Sequence, residues 1–316
     1  MGVQAGSTAT DGRVTQRREF EPRLHRACMR SLLGTESLAP VSSVLSQAAD
    51  QLRSSSSPIL LLAAPSLQGA LAIAPIEAAL VDAGLPYRRR FRLQSPSDGS
   101  WVHVLGPADE SGPRLSSNPT QLSLAGTVVE GLSGHRGDSR KGPLTAVAQS
   151  HALAQEISPE GVRVRRLRPW AISGNWLHSA LDTTYDPVFT ALRDALAEDG
   201  SIRVVPLPEV PEPNVSTSSW IDPEALDAVT SRWPGLNLEG RARALSHLMR
   251  PALSRSTPST ARLEEIGWHC VLGPGWSTDL AGQISSAAAL WKEQPAAIAA
   301  GRVVDSLLRR GVIPRF

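Results

Sequence analysis

Apolar positions show no period along residues 1–18, and the segment is dense in turn formers, which predicts a disordered tail. Over 20–33 and 41–52 they recur at helical spacing, as in Val41, Val44, Leu45, Ala48 and Leu52, and predict two helices. Ser54, Ser55, Ser56, Ser57 and Pro58 then break the helical pattern. The following run, Ile59 to Ala64, is continuously apolar between turn formers, as in a parallel-sheet strand buried on both faces. Residues 65–69 read as a turn. A helix follows over 70–83, with Leu71, Ala74, Ala78 and Val81 on one face and Gly84 placed to stop it. Residues 87–93 form the next strand, and the three elements make a βαβ unit with a right-handed crossover.

Downstream the pattern predicts a strand over 101–105, a Gly, Pro and Ser-rich loop over 106–119, and a helix over 144–157 that closes a first domain. A change of character over 158–169, where Arg163, Arg165, Arg166 and Arg168 interleave with valine and leucine, marks a domain boundary. Beyond it come a helix over 186–198, a strand over 202–206 and a proline-rich extended segment over 206–213. Helices over 222–232, 239–253, 260–268, 279–290 and 296–310 complete the chain, the first of them opened by Asp222 and Pro223. The expected fold is therefore α/β, a parallel sheet flanked by helices with a second, mostly helical α/β domain. Its divisions are a tail over 1–18, one domain over 19–160 and another over 161–316. No internal repeat is present.

Composition narrows the functional classes. With 316 residues, 41% of them hydrophobic, the chain can bury a core in each domain. Its longest apolar stretch is interrupted by Pro65, Gln68, Pro75, Glu77 and Asp82, which excludes a membrane span there. The polar start lacks the apolar core of a secretory leader, which places the protein in the cytoplasm. Cys28 and Cys270 are far apart and predict neither a disulfide framework nor a zinc site. A net charge of +2 creates no field strong enough to draw in nucleic acid.

Ligands of open α/β sheets sit at the carboxyl ends of the strands, so chemistry is expected at the turn 65–69. That turn has one glycine and fits neither a phosphate loop nor a dinucleotide fingerprint. Ser66 is read as a helix cap rather than a nucleophile, because no base is identifiable beside it. The seven histidines have no partners at metal-ligand spacing. His135, Arg136, Gly137 and Asp138 read as a solvated turn. Arg163, Arg165, Arg166 and Arg168 suit either a nucleic-acid backbone or acidic partner, or a solvated strand or linker. Trp170, Trp176, Trp220, Trp233, Trp268, Trp276 and Trp291 crowd the second half, as core anchors or as a contact surface.

Residues 59–92 resemble the DHH phosphoesterase superfamily and its archaeal RecJ-like branch. In that family a buried strand ends in a Ser-His-x-Asp-x-Asp-Gly turn, followed by a helix and a strand that Tyr87, Arg88, Arg89, Arg90 and Phe91 resemble. Aligned on Gly69, the chain has Ala64 where the family has its histidine, and Ser66 and Gln68 where it has two metal-binding aspartates. Residues 124–130 look like a further family segment, with Glu130 at the place of its acidic ligand. Gly106 and Pro107 stand where another aspartate is expected, and Asp-His-His is absent, although Asn118-Pro119 resembles the residues that come after that motif in the family. Residues 180–187 look like the segment after the family's first domain. The likeness covers roughly residues 20–190 as an order of elements.

Two-metal phosphoester cleavage needs several carboxylates and histidines converging on ions about 4 Å apart, and one glutamate does not supply them. The resemblance thus implies an inactivated phosphoesterase without a metal or other cofactor. By the family's example it is a nucleoid-associated replisome scaffold that binds GINS and the MCM helicase, with single-stranded DNA as a further partner. Arg88, Arg89, Arg90, Arg163, Arg165, Arg166 and Arg168 are its candidate DNA or partner contacts. The alternatives are an active manganese-dependent exonuclease with rearranged ligands, drawn from Asp109, Glu130, His135 and Asp138, and an unrelated small-molecule-binding α/β protein.

Overall fold

The computed structural model describes residues 2, 29–92, 94–133, 139–183, 185–253, 255 and 258–314. The expected tail apart from Gly2, most of the helix expected over 20–33, Cys28, His135 and Asp138 lie outside them. Where that helix should end, Met29 to Ser31 are not helical, and 3-10 turns follow at Leu32–Gly34 and Glu36–Val41.

The chain then runs through α1 (Ser42–Arg53), β1 (Ile59–Ala63), α2 (Leu67–Asp82), β2 (Tyr87–Phe91), β3 (Trp101–Val104), β4 (Arg114–Ser116), β5 (Gln121–Leu124), β6 (Thr127–Ser133) and β7 (Ser139–Leu144). Next come α3 (Ala146–Ile157), α4 (Val162–Leu167), α5 (Ser173–Leu177), α6 (Ala180–Thr183), α7 (Pro187–Glu198) and β8 (Arg203–Val205). The last elements are α8 (Pro223–Arg232), α9 (Leu238–Leu253), α10 (Thr260–Gly267), β9 (Cys270–Leu272), α11 (Leu280–Glu293) and α12 (Ala296–Arg310).

Five strands form one sheet in the order β2-β1-β3-β5-β4, parallel except for β4, which pairs antiparallel with β5. The antiparallel pairs β6-β7 and β8-β9 stand apart from it. The fold is thus α/β, a mostly parallel sheet flanked by helices. Strand β1 is the apolar run of the sequence, and its interior place between β2 and β3 explains why polar residues are missing from it.

Helix α2 departs from its expected form. Gly69 to Leu80 are buried without exception, rather than along one stripe. The helix is enclosed on all sides because α3, α4 and α12 pack around it while β1 and β3 lie beneath. Its small residues, Gly69, Ala70, Ala72, Ala74, Ala78 and Ala79, permit that close approach. The expected loop over 106–119 contains β4, and Asn118-Pro119 is the turn that returns it to β5. Residues 162–167 are helical rather than a strand or linker. Part of the extended segment expected over 206–213 is a 3-10 turn at Leu207–Glu209.

The C-terminal part returns to the βαβ unit. Asp305 of α12 accepts a hydrogen bond from Arg89 of β2 at 2.7 Å, and the Trp291 indole donates to Pro65 O at 2.9 Å. Trp170 donates to Gly311 O at 2.9 Å. Trp101, Trp170, Trp220, Trp233 and Trp276 are buried, so they act as core anchors. Among the described residues no helix is long and apolar enough to cross a membrane.

Candidate functional site

A small cavity of about 40 Å³ opens at the carboxyl ends of β1, β3 and β5, where Ala64, Ser66, Gly106, Pro107, Gly126 and Thr127 meet. This is the position that strand order dictates for a ligand in an open α/β sheet. Its first wall follows from β1. Ser66, in extended conformation, ends the strand and caps α2, its Oγ accepting the Gly69 N–H at 3.1 Å. A Cβ on Gly69 would lie 2.3 Å from Ala64 O, so only glycine lets the helix start this close to the strand.

The opposite wall is the start of α3. Thr145 caps that helix through Ala148 N–H at 3.4 Å and donates to Asn175 Oδ1 at 3.1 Å. Asn175 in turn donates to Pro143 O at 2.7 Å and Asp186 Oδ2 at 3.1 Å. The other oxygen of Asp186 accepts the N–H groups of Val188 and Phe189, capping α7. Burial raises the Asp186 carboxyl above its ordinary range, while those backbone and Asn175 hydrogen bonds pull the other way. This chain fixes Thr145 from behind.

His178 stands at the rim, lining both this cavity and a shallower depression beside it. Its Nδ1 accepts the Ala180 N–H at 3.1 Å, which leaves Nε2 as the protonated nitrogen of the neutral ring. Thr145 and His178 were not found by sequence reasoning. Thr145 carries a cap signal, but nothing local to His178 announces that the corner between α5 and α6 turns it towards the sheet.

Ala64, Ser66 and Gln68 line the cavity together. Glu130 does not join them: it is exposed on β6, opposite Lys141 of β7. Asp109 is held in its own turn, accepting from Ser111 N at 3.0 Å and Ser111 Oγ at 2.5 Å, and these bonds lower its carboxyl. Its neighbour Glu110 lines the cavity from an exposed position. Among the described residues no three His, Cys, Asp or Glu side chains gather as a metal would need.

The residues present do not fit the divalent pair of the resembled family. A methyl group, a hydroxyl engaged as a helix cap and a neutral amide do not supply hard, charged oxygen ligands. Ser66 Oγ accepts the Gly69 N–H, and among the described residues no hydrogen bond joins it to a base. What remains is a walled, polar-rimmed recess faced by the positive ends of α2 and α3.

The candidate contact arginines divide sharply. Arg88 and Arg90 are exposed on β2, whereas Arg89 points to the other face and pairs with Glu77 at 3.0 Å and with Asp305. Arg163 pairs with Asp82 at 2.8 Å, Arg165 pairs with Glu160, and Arg166 donates to Arg309 O at 2.8 Å. Arg168 is only 4% exposed. It donates to Gln155 Oε1 at 2.8 Å, to Arg30 O at 2.7 Å and to Asp199 at 2.5 Å. That enclosure removes Arg168 from any outer surface.

Compared with known proteins, the chain matches no family model, and no curated protein gives a significant sequence match.

Proposed function

We propose that the chain is a non-catalytic binding protein, a replication scaffold of the RecJ-like kind that holds GINS and the MCM helicase. The observation that carries this reading is the end of β1, where Ala64, Ser66 and Gln68 occupy the wall of a well-formed recess. A hydrolase of the resembled type needs charged ligands on that wall; here it carries a methyl group, a neutral amide and a hydroxyl that caps α2. Exposed Arg88 and Arg90 supply charge for single-stranded DNA or an acidic partner. Such a role places the protein beside the nucleoid in the cytoplasm. The test is a pull-down in which the immobilised chain is offered purified GINS and MCM. Retention of both is expected, and retention of neither removes the replication reading.

A further inference from the structure

Strand β2 is the outermost of the parallel sheet. Its pairing with β1 is fixed by the register Ile59 with Tyr87 and by the Ile59 N–H donated to Pro86 O at 2.9 Å. In a parallel ladder that pattern turns the peptide groups of residues 86, 88 and 90 towards β1. The peptide groups of Tyr87, Arg89 and Phe91 therefore face the open edge. Side chains alternate about this edge. Arg88 and Arg90, with Arg92 just beyond the strand, are exposed, and among the described residues no carboxylate pairs with them. Tyr87, Arg89 and Phe91 lie on the other face. There Tyr87 donates to Glu77 at 2.9 Å, and Arg89 is clamped between Glu77 and Asp305 and approaches the Phe91 ring at 5.9 Å. The edge is rigid from behind, and among the described residues no other backbone bonds to the outward peptide groups of Tyr87, Arg89 and Phe91.

We propose that this edge is a docking strand for an extended acidic segment of a partner protein, added to the sheet as a further strand. The inference rests on the reading of the chain as a protein-binding scaffold and names its surface and the chemistry of its partner. In such pairing, directly opposed residues share a face. Positions opposite Arg88, Arg90 and Arg92 then call for Asp or Glu, and the intervening positions, beside Tyr87 and Phe91, for apolar side chains. One carbonyl of the edge, Arg89 O, is covered by the Arg90 guanidinium at 3.0 Å. A partner carboxylate draws that guanidinium away and frees the carbonyl for the incoming N–H. A neutral strand has no means of doing this, so the charge selects the partner.

Arginine on an edge strand has a second use, repelling unwanted strands, and the experiment separates the two. Binding of a labelled peptide alternating glutamate and valine is followed by fluorescence anisotropy with the full chain. The expected result is saturable binding, weakened by about tenfold or more when glutamine replaces glutamate, and again when the chain carries Arg88→Glu with Arg90→Glu. N-methylation of the peptide's pairing amides keeps its charge and should abolish binding. Equal affinity of the methylated peptide, absence of binding, or tighter binding of oligothymidine through the same arginines would each overturn the proposal. Retention of GINS and MCM by the double variant would overturn this edge as their site and leave the scaffold reading intact. Circular dichroism of the double variant confirms that it is folded.

Discussion

Two arginine-rich segments, 88–92 and 163–168, look alike in the sequence, each mixing arginine with apolar or aromatic residues, yet the first is a strand and the second is helical, and only the second carries a fully enclosed arginine, Arg168. On β2 the strand period sends Arg88 and Arg90 outward and turns Arg89 to the carboxylates of Glu77 and Asp305, with Arg92 exposed just beyond the strand. In the second segment a helix takes over. Val164 and Leu167, three residues apart, are buried, while Asp82 of α2 accepts the N–H groups of Arg163 and Val164 at 2.8 and 3.2 Å. Arginine there ties the first helix of the sheet unit to the C-terminal elements. The lesson is that charge density read along a chain does not reveal a surface: a cation becomes internal when tertiary structure supplies a desolvated carboxylate.

Removing Arg168 should break this contrast most severely. Its side chain and that of Asp199 are 5% and 3% exposed, so Arg168→Met leaves a buried carboxylate without its cation. We expect a loss of about 3–5 kcal/mol in urea unfolding. A change below about 1 kcal/mol, the range of a surface pair, would show that Arg168 belongs with the exposed set.

Acid should reach the same junction next. His151 is fully enclosed, and burial, reinforced by Arg168, holds its imidazolium back until about pH 3. The unfolded chain takes that proton near pH 6.5. Between these values the unfolded state binds more protons, so stability present above pH 6.5 is lost as the pH falls, by about 1.4 kcal/mol per unit from this group. Thus His151→Gln should flatten the dependence between pH 6 and 4, and an unchanged slope would assign the acid loss to other groups.

The smallest effects sharpen the contrast at the surface. Arg163→Ala, which deprives a largely buried Asp82 of one partner, should cost about 1 kcal/mol. Arg88→Ala should change stability by less than about 0.5 kcal/mol. Thermal melts of the pair decide this, and equal losses would erase the distinction between the two segments.

The course of the βαβ unit was legible because each signal was local. A continuous apolar run, a serine at a cap position and a glycine at the stop define β1, α2 and the turn between them. A cap also announced α8 through Asp222. Strands β4 to β7 were not legible. β4 is Arg114–Ser116 and β7 contains Gly142 and Pro143, so neither has the apolar content that marks a strand, and each is held by its hairpin partner. The site divided likewise: Ala64, Ser66 and Gln68 could be placed together because they share one turn, whereas Glu130, grouped with them by alignment, lies on a separate hairpin.

Short-range forces act between residues a few positions apart, and for that reason the amino-acid order alone determined the apolar strand β1, the helix after it and the chemical poverty of the turn joining them. Only tertiary structure decided which charges meet water. Arg168 and Asp199 are 31 positions apart, and Arg89 and Asp305 are 216. Whether such groups are desolvated depends on packing around both, which no local pattern encodes. The recess owes its shape to the same cause, because Thr145 and His178 stand beside the end of β1 only through the packing of α3 and α5 against α2.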